Sequence, residues 1–158
     1  MFSIPNIPIN YKIKVTGKIS KIYQTLIKKI VQVTLYKEKN QNSNSIVEVV
    51  VCSEQEMKEY NKKYMNKDSV TDIISISYEE TKDPILKNMI GIILICPKII
   101  KEDSEELKKD YSKHLTHLIV HGTLHLLGYN HEQNEERNRM ESKEVTILSS
   151  LGIESPYL

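Results

Sequence analysis

Three histidines and a glycine late in the chain constrain its fold most strongly. His121 and His125 are four residues apart in a run that predicts a helix, and Gly128 follows where a helix can end in a left-handed residue. Side chains four apart lie on one helix face, about one turn or ~5.4 Å apart. The chain then turns back, which lets His131 reach the same place.

This H-x3-H-x2-G-x2-H pattern predicts that His121, His125 and His131 bind one divalent metal ion. Three protein ligands leave the fourth position open to water or substrate, as in catalytic zinc sites. Zinc is the expected ion, and three imidazoles also suit nickel, copper or iron. We therefore expect a hydrolase in which these histidines act through the metal.

Two more histidines lie on the same face of the predicted helix. His114 and His117 cannot share the ion with the others, because His117 and His125 are two turns, roughly 12 Å, apart. His117 with His121 is the alternative helical pair. Otherwise His114 and His117 are expected to be structural or to line the approach to the site.

Strand and helix patterns alternate along the chain. Apolar, β-branched runs predict strands at 11–15, 46–52, 71–77 and 89–95. Helices are predicted at 19–31, from a capping box of Ser53 and Glu56 to near Tyr64, from a capping box of Asp103 and Glu106 to Gly128, and at 135–151. This predicts one layered α+β domain over residues 1–158, with about four strands in a mixed sheet and the metal site at the end of the long helix.

Composition gives weaker constraints. The 158 residues suit one core, and the net charge of +1 gives no strong indication of nucleic-acid binding, although a local basic groove is compatible with it. Cys52 and Cys96 lie in apolar runs and are expected to be buried, reduced thiols. No signal peptide is evident, and Pro97 and Lys98 interrupt the longest apolar stretch. A cytoplasmic protein without a membrane partner is expected.

The spacing also matches zinc proteases with the motif H-E-x-x-H-x-x-G-x-x-H, whose Glu is the general base. Gly122 occupies that position here and has no side chain to accept a proton. A protease of that mechanism is therefore not expected. Gly122 indicates instead close packing of its neighbours or close approach of substrate to the backbone.

The stretch HGTLHLLGYNH at 121–131 closely resembles the H-G-x-L-H-L-x-G-Y-D-H signature of the YbeY family. Asn61, Tyr64 and TDIIS at 71–75 resemble that family's N-x-x-Y-R and T-D-V-L-S motifs, and Gly91 with the strand after it resembles G-D-I-x-I. The family's C-terminal helix also has a counterpart here, formed by Met140, Glu144, Ile147, Leu148, Leu151 and Gly152. The resemblance covers about residues 45–152.

The resemblance implies a metal-dependent, single-strand-specific endoribonuclease. Such enzymes act in ribosomal RNA maturation at the 16S 3′ end and in ribosome quality control, with single-stranded ribosomal RNA and ribosomal proteins as partners. One alternative is a non-catalytic ribosome-assembly or RNA-binding factor with a structural metal. The other is a metallohydrolase acting on another substrate, such as peptide.

Three positions depart from the family pattern. Met65 stands where the family has an arginine implicated in catalysis, and methionine cannot hydrogen-bond a phosphate. Ile92 and Asn130 each replace an aspartate, and the second change alters the expected outer support of a metal ligand. The metal site itself matches the family.

Substrate binding is assigned to polar residues before the histidines. Lys62, Lys63 and Lys67 are expected to bring positive charge to RNA phosphates, and Ser75 to line the site. Thr71 and Asp72 have two interpretations: bonding to nearby backbone at the start of a strand, or polar lining beside the metal.

Overall fold

Four β-strands form one mixed sheet in the computed structural model, which describes residues 4–38, 40, 42–78 and 88–157. The strands are β1 (Lys12–Thr16), β2 (Ile46–Val51), β3 (Ile73–Ser77) and β4 (Met89–Ile95), in the spatial order β1-β2-β4-β3. β1, β2 and β4 run parallel, and β3 is antiparallel to β4. β3 therefore forms one edge of the sheet.

Five helices cover this sheet within the described ranges: α1 (Lys21–Lys37), α2 (Glu54–Met65), α3 (Pro97–Glu106), α4 (Tyr111–Leu126) and α5 (Asn134–Ser150). Alternate residues of β2 and β4, such as Val47, Val49 and Ile93, share one core with apolar residues of α1, α4 and α5. A smaller core contains Met57 of α2 and Ile74 of β3. The predicted α+β fold with a four-stranded mixed sheet is confirmed.

α4 lies at the centre of the molecule and contacts α1, α3, α5, β3 and β4. Most of its side chains are buried, including Leu115, Ile119 and Leu124. A helix buried on several sides is held rigidly by its neighbours. Residues at the end of α4 are therefore fixed relative to the edge strand β3.

The predicted start of the histidine-bearing helix is wrong. The region after Asp103 belongs to α3, which ends at Glu106. α4 begins at Tyr111, and it is capped by Asp110, whose side chain accepts a hydrogen bond from the Lys113 backbone nitrogen at 3.0 Å. α3 stops in a left-handed residue, Lys108 (φ 54°). Glycine is the usual residue there, so the sequence carried no clear stop signal.

Two other sequence expectations, the capping box of α2 and the two buried thiols, are confirmed. The capping box of Ser53 and Glu56 is formed in both directions at the start of α2. Cys52 and Cys96 are buried and free, and burial raises the pKa of the Cys52 thiol to about 11. In the described part of the chain, no helix has the length and apolar character needed to cross a bilayer.

Candidate metal centre

The end of α4 places the three predicted histidines. The helix ends at Leu126, and its capping residue Leu127 is followed by Gly128 with φ +98°. The backbone nitrogen of Gly128 donates to the His125 carbonyl at 3.1 Å, and that of Tyr129 donates to the Leu124 carbonyl at 3.1 Å. This pair of bonds is a Schellman motif, which turns the chain sharply after a helix. The turn brings His131 back beside the helix, as the sequence predicted.

The imidazole rings of His121, His125 and His131 form a compact group. Their ring centroids are separated by 4.5 Å for the helical pair, 5.1 Å between His125 and His131, and 5.6 Å between His121 and His131. One nitrogen of each ring lies within 4.8 Å of the corresponding nitrogen of the other two. This spacing suits three ligands of one ion.

Hydrogen bonds determine which ring nitrogen of His121 and of His125, the two histidines on α4, faces the other histidines. His125 Nδ1 donates to the Tyr129 carbonyl at 2.9 Å, and His121 Nδ1 donates to the Glu144 carboxylate. Each Nε2 is therefore left with a lone pair. The two Nε2 atoms face each other at 3.0 Å.

Two lone pairs at that distance repel unless a proton or a cation lies between them. Tetrahedral zinc with Zn–N bonds of 2.0–2.1 Å separates two ligand nitrogens by about 3.3 Å. The donor set of three imidazoles, two of them oriented by outer hydrogen bonds, fits a divalent transition metal. His121, His125 and His131 are the residues that would hold it.

Electrostatics favour a neutral His125 and an anionic Glu144. Burial, with the neighbouring His121, lowers the pKa of His125 to about 4. Burial alone would raise the pKa of Glu144, but hydrogen bonds outweigh it and hold that pKa at about 2. The donors of those bonds are His117, His121 and Tyr157. At neutral pH Glu144 is therefore charged and His125 is ready to bind a metal.

The histidines open into a cleft of about 790 Å³. One wall is the loop before β3 and β3 itself, with Thr71, Asp72 and Ser75, and Met65 and Lys67 also line the cleft. The cleft is large enough for several atoms of a polymer chain beyond the reacting group. A metal at the histidines would therefore be accessible to a large substrate.

Thr71 and Asp72 fit both of their predicted interpretations. Asp72 Oδ1 accepts from the Ile73 backbone nitrogen at 2.7 Å and from the Thr71 hydroxyl at 3.3 Å, so it caps the start of β3. Both residues also line the cleft. Strand-start bonding and polar lining are thus two aspects of one arrangement.

Ser75 joins β3 to α4. Its hydroxyl donates to the Gly122 carbonyl at 2.9 Å. A Cβ at Gly122 would lie 2.9 Å from Ile73 Cδ1 and 3.0 Å from Ser75 Oγ. Close packing of its neighbours therefore accounts for Gly122. Because the Ser75 hydroxyl hydrogen is used in this bond, only the lone pairs of Ser75 Oγ remain for polar contacts in the cleft.

The three predicted lysines do not lie together. Lys67 lines the cleft, whereas Lys62 and Lys63 are exposed on α2 and are outside its wall. Lys63 Nζ lies 5.0 Å from the centre of the Tyr64 ring. Asn61 is buried and holds the loop of Lys67, because its Nδ2 donates to the Ser69 carbonyl at 2.9 Å.

His114 and His117 do not join the three-histidine group. His117 Nε2 lies 3.3 Å from the Tyr157 hydroxyl and 3.5 Å from Glu144 Oε2. With His121 and Glu144 it makes a second cluster in which ligand-type atoms lie within 4.8 Å of one another. His114 is buried, and neither of its ring nitrogens has a hydrogen-bond partner among the described residues. The structural interpretation suits both.

Glu144 and Tyr157 were not assigned a site role from the sequence. Glu144 was noted only as part of a resembling C-terminal helix. A signal was present, since Glu144 lies in the apolar stripe of that helix, where the buried residues are Met140, Ile147 and Leu148. A charged residue in such a stripe requires a buried partner. Tyr157, near the chain end, carried no comparable pattern.

This chain combines an α+β domain, an antiparallel edge strand beside a cleft, and three histidines at the end of a central helix, which together define its fold and its candidate metal centre. The model of the family described as "Endoribonuclease YbeY" matches residues 9–152. The chain therefore belongs to the YbeY family.

Individual relatives agree over shorter segments. Endoribonuclease YbeY of Alteromonas mediterranea is 46% identical over 70 residues, which is 44% of this chain and 44% of that protein. Endoribonuclease YbeY of Bartonella henselae is 51% identical over 69 residues, again 44% of each. The matched segments thus span less than half the length of these relatives.

A solved structure shows the same fold. The solution structure of TM1509 from Thermotoga maritima aligns with a TM-score of 0.57 and 24% identity. The alignment covers 87% of this chain and 90% of that chain. At this identity the likeness establishes the fold.

Proposed function

We propose that this protein is a metal-dependent endoribonuclease that cleaves single-stranded RNA. The observation that carries the proposal is the convergence of His121, His125 and His131 in an open cleft. Family membership supports RNA as the substrate. The proposal extends to 16S 3′-end maturation and ribosome quality control in the cytoplasm, with ribosomal RNA and ribosomal proteins as partners.

Each residue has a defined task in this proposal. His121, His125 and His131 supply neutral nitrogens, and Glu144 and the Tyr129 carbonyl orient the helical pair. The chemistry that zinc, or another divalent ion, supplies in such a site is polarisation of a phosphoryl oxygen and activation of water near neutral pH. Lys67 and Ser75 contact the RNA backbone in the cleft, and Lys62 and Lys63 attract it from α2.

The test uses purified full-length protein loaded with zinc and a labelled single-stranded RNA. Cleavage is expected for the single strand, and a perfect duplex of the same sequence is expected to resist, because its bases and sugars are not accessible in the cleft. Cleavage should fall steeply between 50 and 200 mM salt as phosphate contacts weaken. Equal cleavage of single strand and duplex would contradict the proposal.

Arg137 places a guanidinium near the histidines, whereas Met65, at the position of the family's arginine, has no charged group. Its Nη2 donates to the His131 carbonyl at 3.5 Å, and it lines a second cavity of about 290 Å³ with His121 and His131. Arg137→Ala should lower kcat/KM for RNA by about 10–100-fold, the value of hydrogen bonds to a charged group. The measurement is steady-state cleavage of a short labelled RNA.

The matched control is Arg139→Ala, at the chain's other arginine. Arg139 is exposed and lines neither cavity that contains the histidines. It should keep full kcat/KM. An equal loss in both variants would show only that general positive charge matters.

A second candidate function is a non-catalytic assembly factor with the same fold. It is favoured by Met65, which is 43% exposed in the cleft wall and offers no group to stabilise a developing phosphate charge. Met65→Arg discriminates between the two. If this variant still fails to cleave RNA while binding to ribosomes persists, the binding role is the function.

A further inference from the structure

The C-terminal tail returns to the metal centre. After α5 ends at Ser150, buried Ile153 anchors the tail in the main core. The Tyr157 hydroxyl then donates to Glu144 Oε2, and its ring packs edge-on against His117 with centroids 5.7 Å apart. A residue close to the chain terminus is thus bonded to the group that holds a candidate metal ligand.

Glu144 is fully buried, with 0% of its surface exposed, and both of its oxygens are used. Oε1 accepts from His121 Nδ1 and Oε2 accepts from Tyr157, with His117 Nε2 3.5 Å away. Burying a charge costs free energy unless it is hydrogen-bonded. The partners of this carboxylate all lie beside the histidine group, so its orientation and that of His121 are coupled.

We propose that Glu144 and Tyr157 are positioning residues for His121, so that the C-terminal tail is part of the metal centre. Glu144 holds the His121 ring with Nδ1 away from the cleft and Nε2 toward His125 and His131. Tyr157 fixes the second oxygen, which prevents the carboxylate from rotating away. The inference rests on the metal site of the proposed function, and not on RNA cleavage.

The physical basis is the effect of outer hydrogen bonds on metal ligands. A carboxylate that accepts from the second nitrogen of a ligating histidine fixes its tautomer and raises its basicity, and removing it costs about 10–100-fold in metal affinity. Tyr157 acts one bond further out, so its hydroxyl should contribute a smaller factor.

The experiment measures zinc dissociation constants of the full chain by competition with a chromogenic chelator. Glu144→Gln keeps the shape but removes the charge, and should raise Kd by about 10–100-fold. Tyr157→Phe removes one oxygen and should raise Kd by about 3–10-fold. In the double variant, Tyr157→Phe should add almost nothing, because the carboxylate through which Tyr157 acts on His121 is already gone.

Tyr11→Phe is the matched control. Its hydroxyl donates to the Asn40 carbonyl, far from the histidines in sequence and outside the cleft wall. It should bind zinc like the wild type, and circular dichroism should show all four variants folded. If Glu144→Gln fails to fold, Tyr157→Phe still tests the inference, because it removes only a hydroxyl.

Several outcomes would overturn the inference. Wild-type affinity in both Glu144→Gln and Tyr157→Phe would do so, as would equal losses in Tyr11→Phe. Two zinc ions per wild-type chain, with one lost in Glu144→Gln, would make Glu144 a ligand of a second site with His117 and His121. If the wild type binds no zinc, both the proposed metal site and this inference fail. If the wild type binds zinc and the Glu144 and Tyr157 variants bind it equally well, the metal site stands and only the inference fails.

Discussion

His131→Ala is expected to abolish RNA cleavage and to reduce zinc affinity by more than about 100-fold. This exceeds the loss expected when a residue that only hydrogen-bonds to a metal ligand is removed. His131 is exposed and lies in the loop after α4, so its removal leaves the buried core intact. Two ligands on one helix remain, and they hold an ion more weakly than three. Zinc binding by competition and RNA cleavage by gel should fail together.

Zinc should also stabilise the wild type against unfolding. At a free concentration 1,000 times its Kd, a ligand of the native state adds about 4.1 kcal/mol. The wild type should therefore show a rise in Tm with zinc that a chelator reverses. His131→Ala should show a much smaller rise, because the same zinc concentration is then at most about 10 times its Kd and adds no more than about 1.4 kcal/mol. Glu132→Ala, in the neighbouring exposed position, is the control and should behave as the wild type. A zinc-dependent rise in Tm of His131→Ala as large as that of the wild type would contradict the three-histidine site.

The sequence predicted the part of the fold that repeats in a local pattern. All four strands were predicted within two residues of their bounds, because alternating or continuous β-branched runs reflect burial on the sheet. α3 was missed because Pro97 begins it directly after β4, and an ordinary lysine, Lys108, takes the left-handed position at its end. Strand order depends on contacts between distant segments and has no local signal.

The same distinction holds at the site. The three histidines were predictable because helical spacing and a glycine turn lie within 11 residues, 121–131. The pairing of His121 with Glu144 was not predictable, because a charged residue in an apolar helix stripe indicates a buried partner without showing which one, and the two are 23 residues apart. Tyr157, which lies 40 residues from its neighbour His117, carried no pattern. Lys67 lies in the cleft wall, whereas Lys62 and Lys63 lie outside it. This difference depends on how the loop after α2 folds over Asn61, which the sequence does not show. Local patterns predict the histidine group, and tertiary structure supplies the residues that orient its rings.

Gly91→Ala is expected to destabilise the protein by about 3 kcal/mol, the upper end of the cost of overpacking a core. A Cβ at Gly91 would lie 2.3 Å from the Ile76 carbonyl oxygen and 2.6 Å from Leu126 Cδ2. The first contact is with backbone, so a change of rotamer cannot relieve it. β3 would have to move away from β4, which breaks the ladder at the edge of the sheet.

The measurement is urea unfolding of the metal-free protein, with a fall in Tm of about 6–12 °C as the thermal equivalent. Gly122→Ala is the matched glycine, and it should change stability by less than about 1 kcal/mol. Its new Cβ meets the flexible end of Ile73 at 2.9 Å and Ser75 Oγ at 3.0 Å, while alanine gains about 1 kcal/mol over glycine inside a helix. The two effects nearly cancel at Gly122. A backbone gain of about 0.5–1 kcal/mol also applies in β4, but it is too small to offset the contact of the Gly91 Cβ with the Ile76 carbonyl. Equal losses of stability in both variants would contradict this prediction. They would show that β3 moves away from Gly91→Ala at little cost, so that this edge strand does not hold the cleft wall in place.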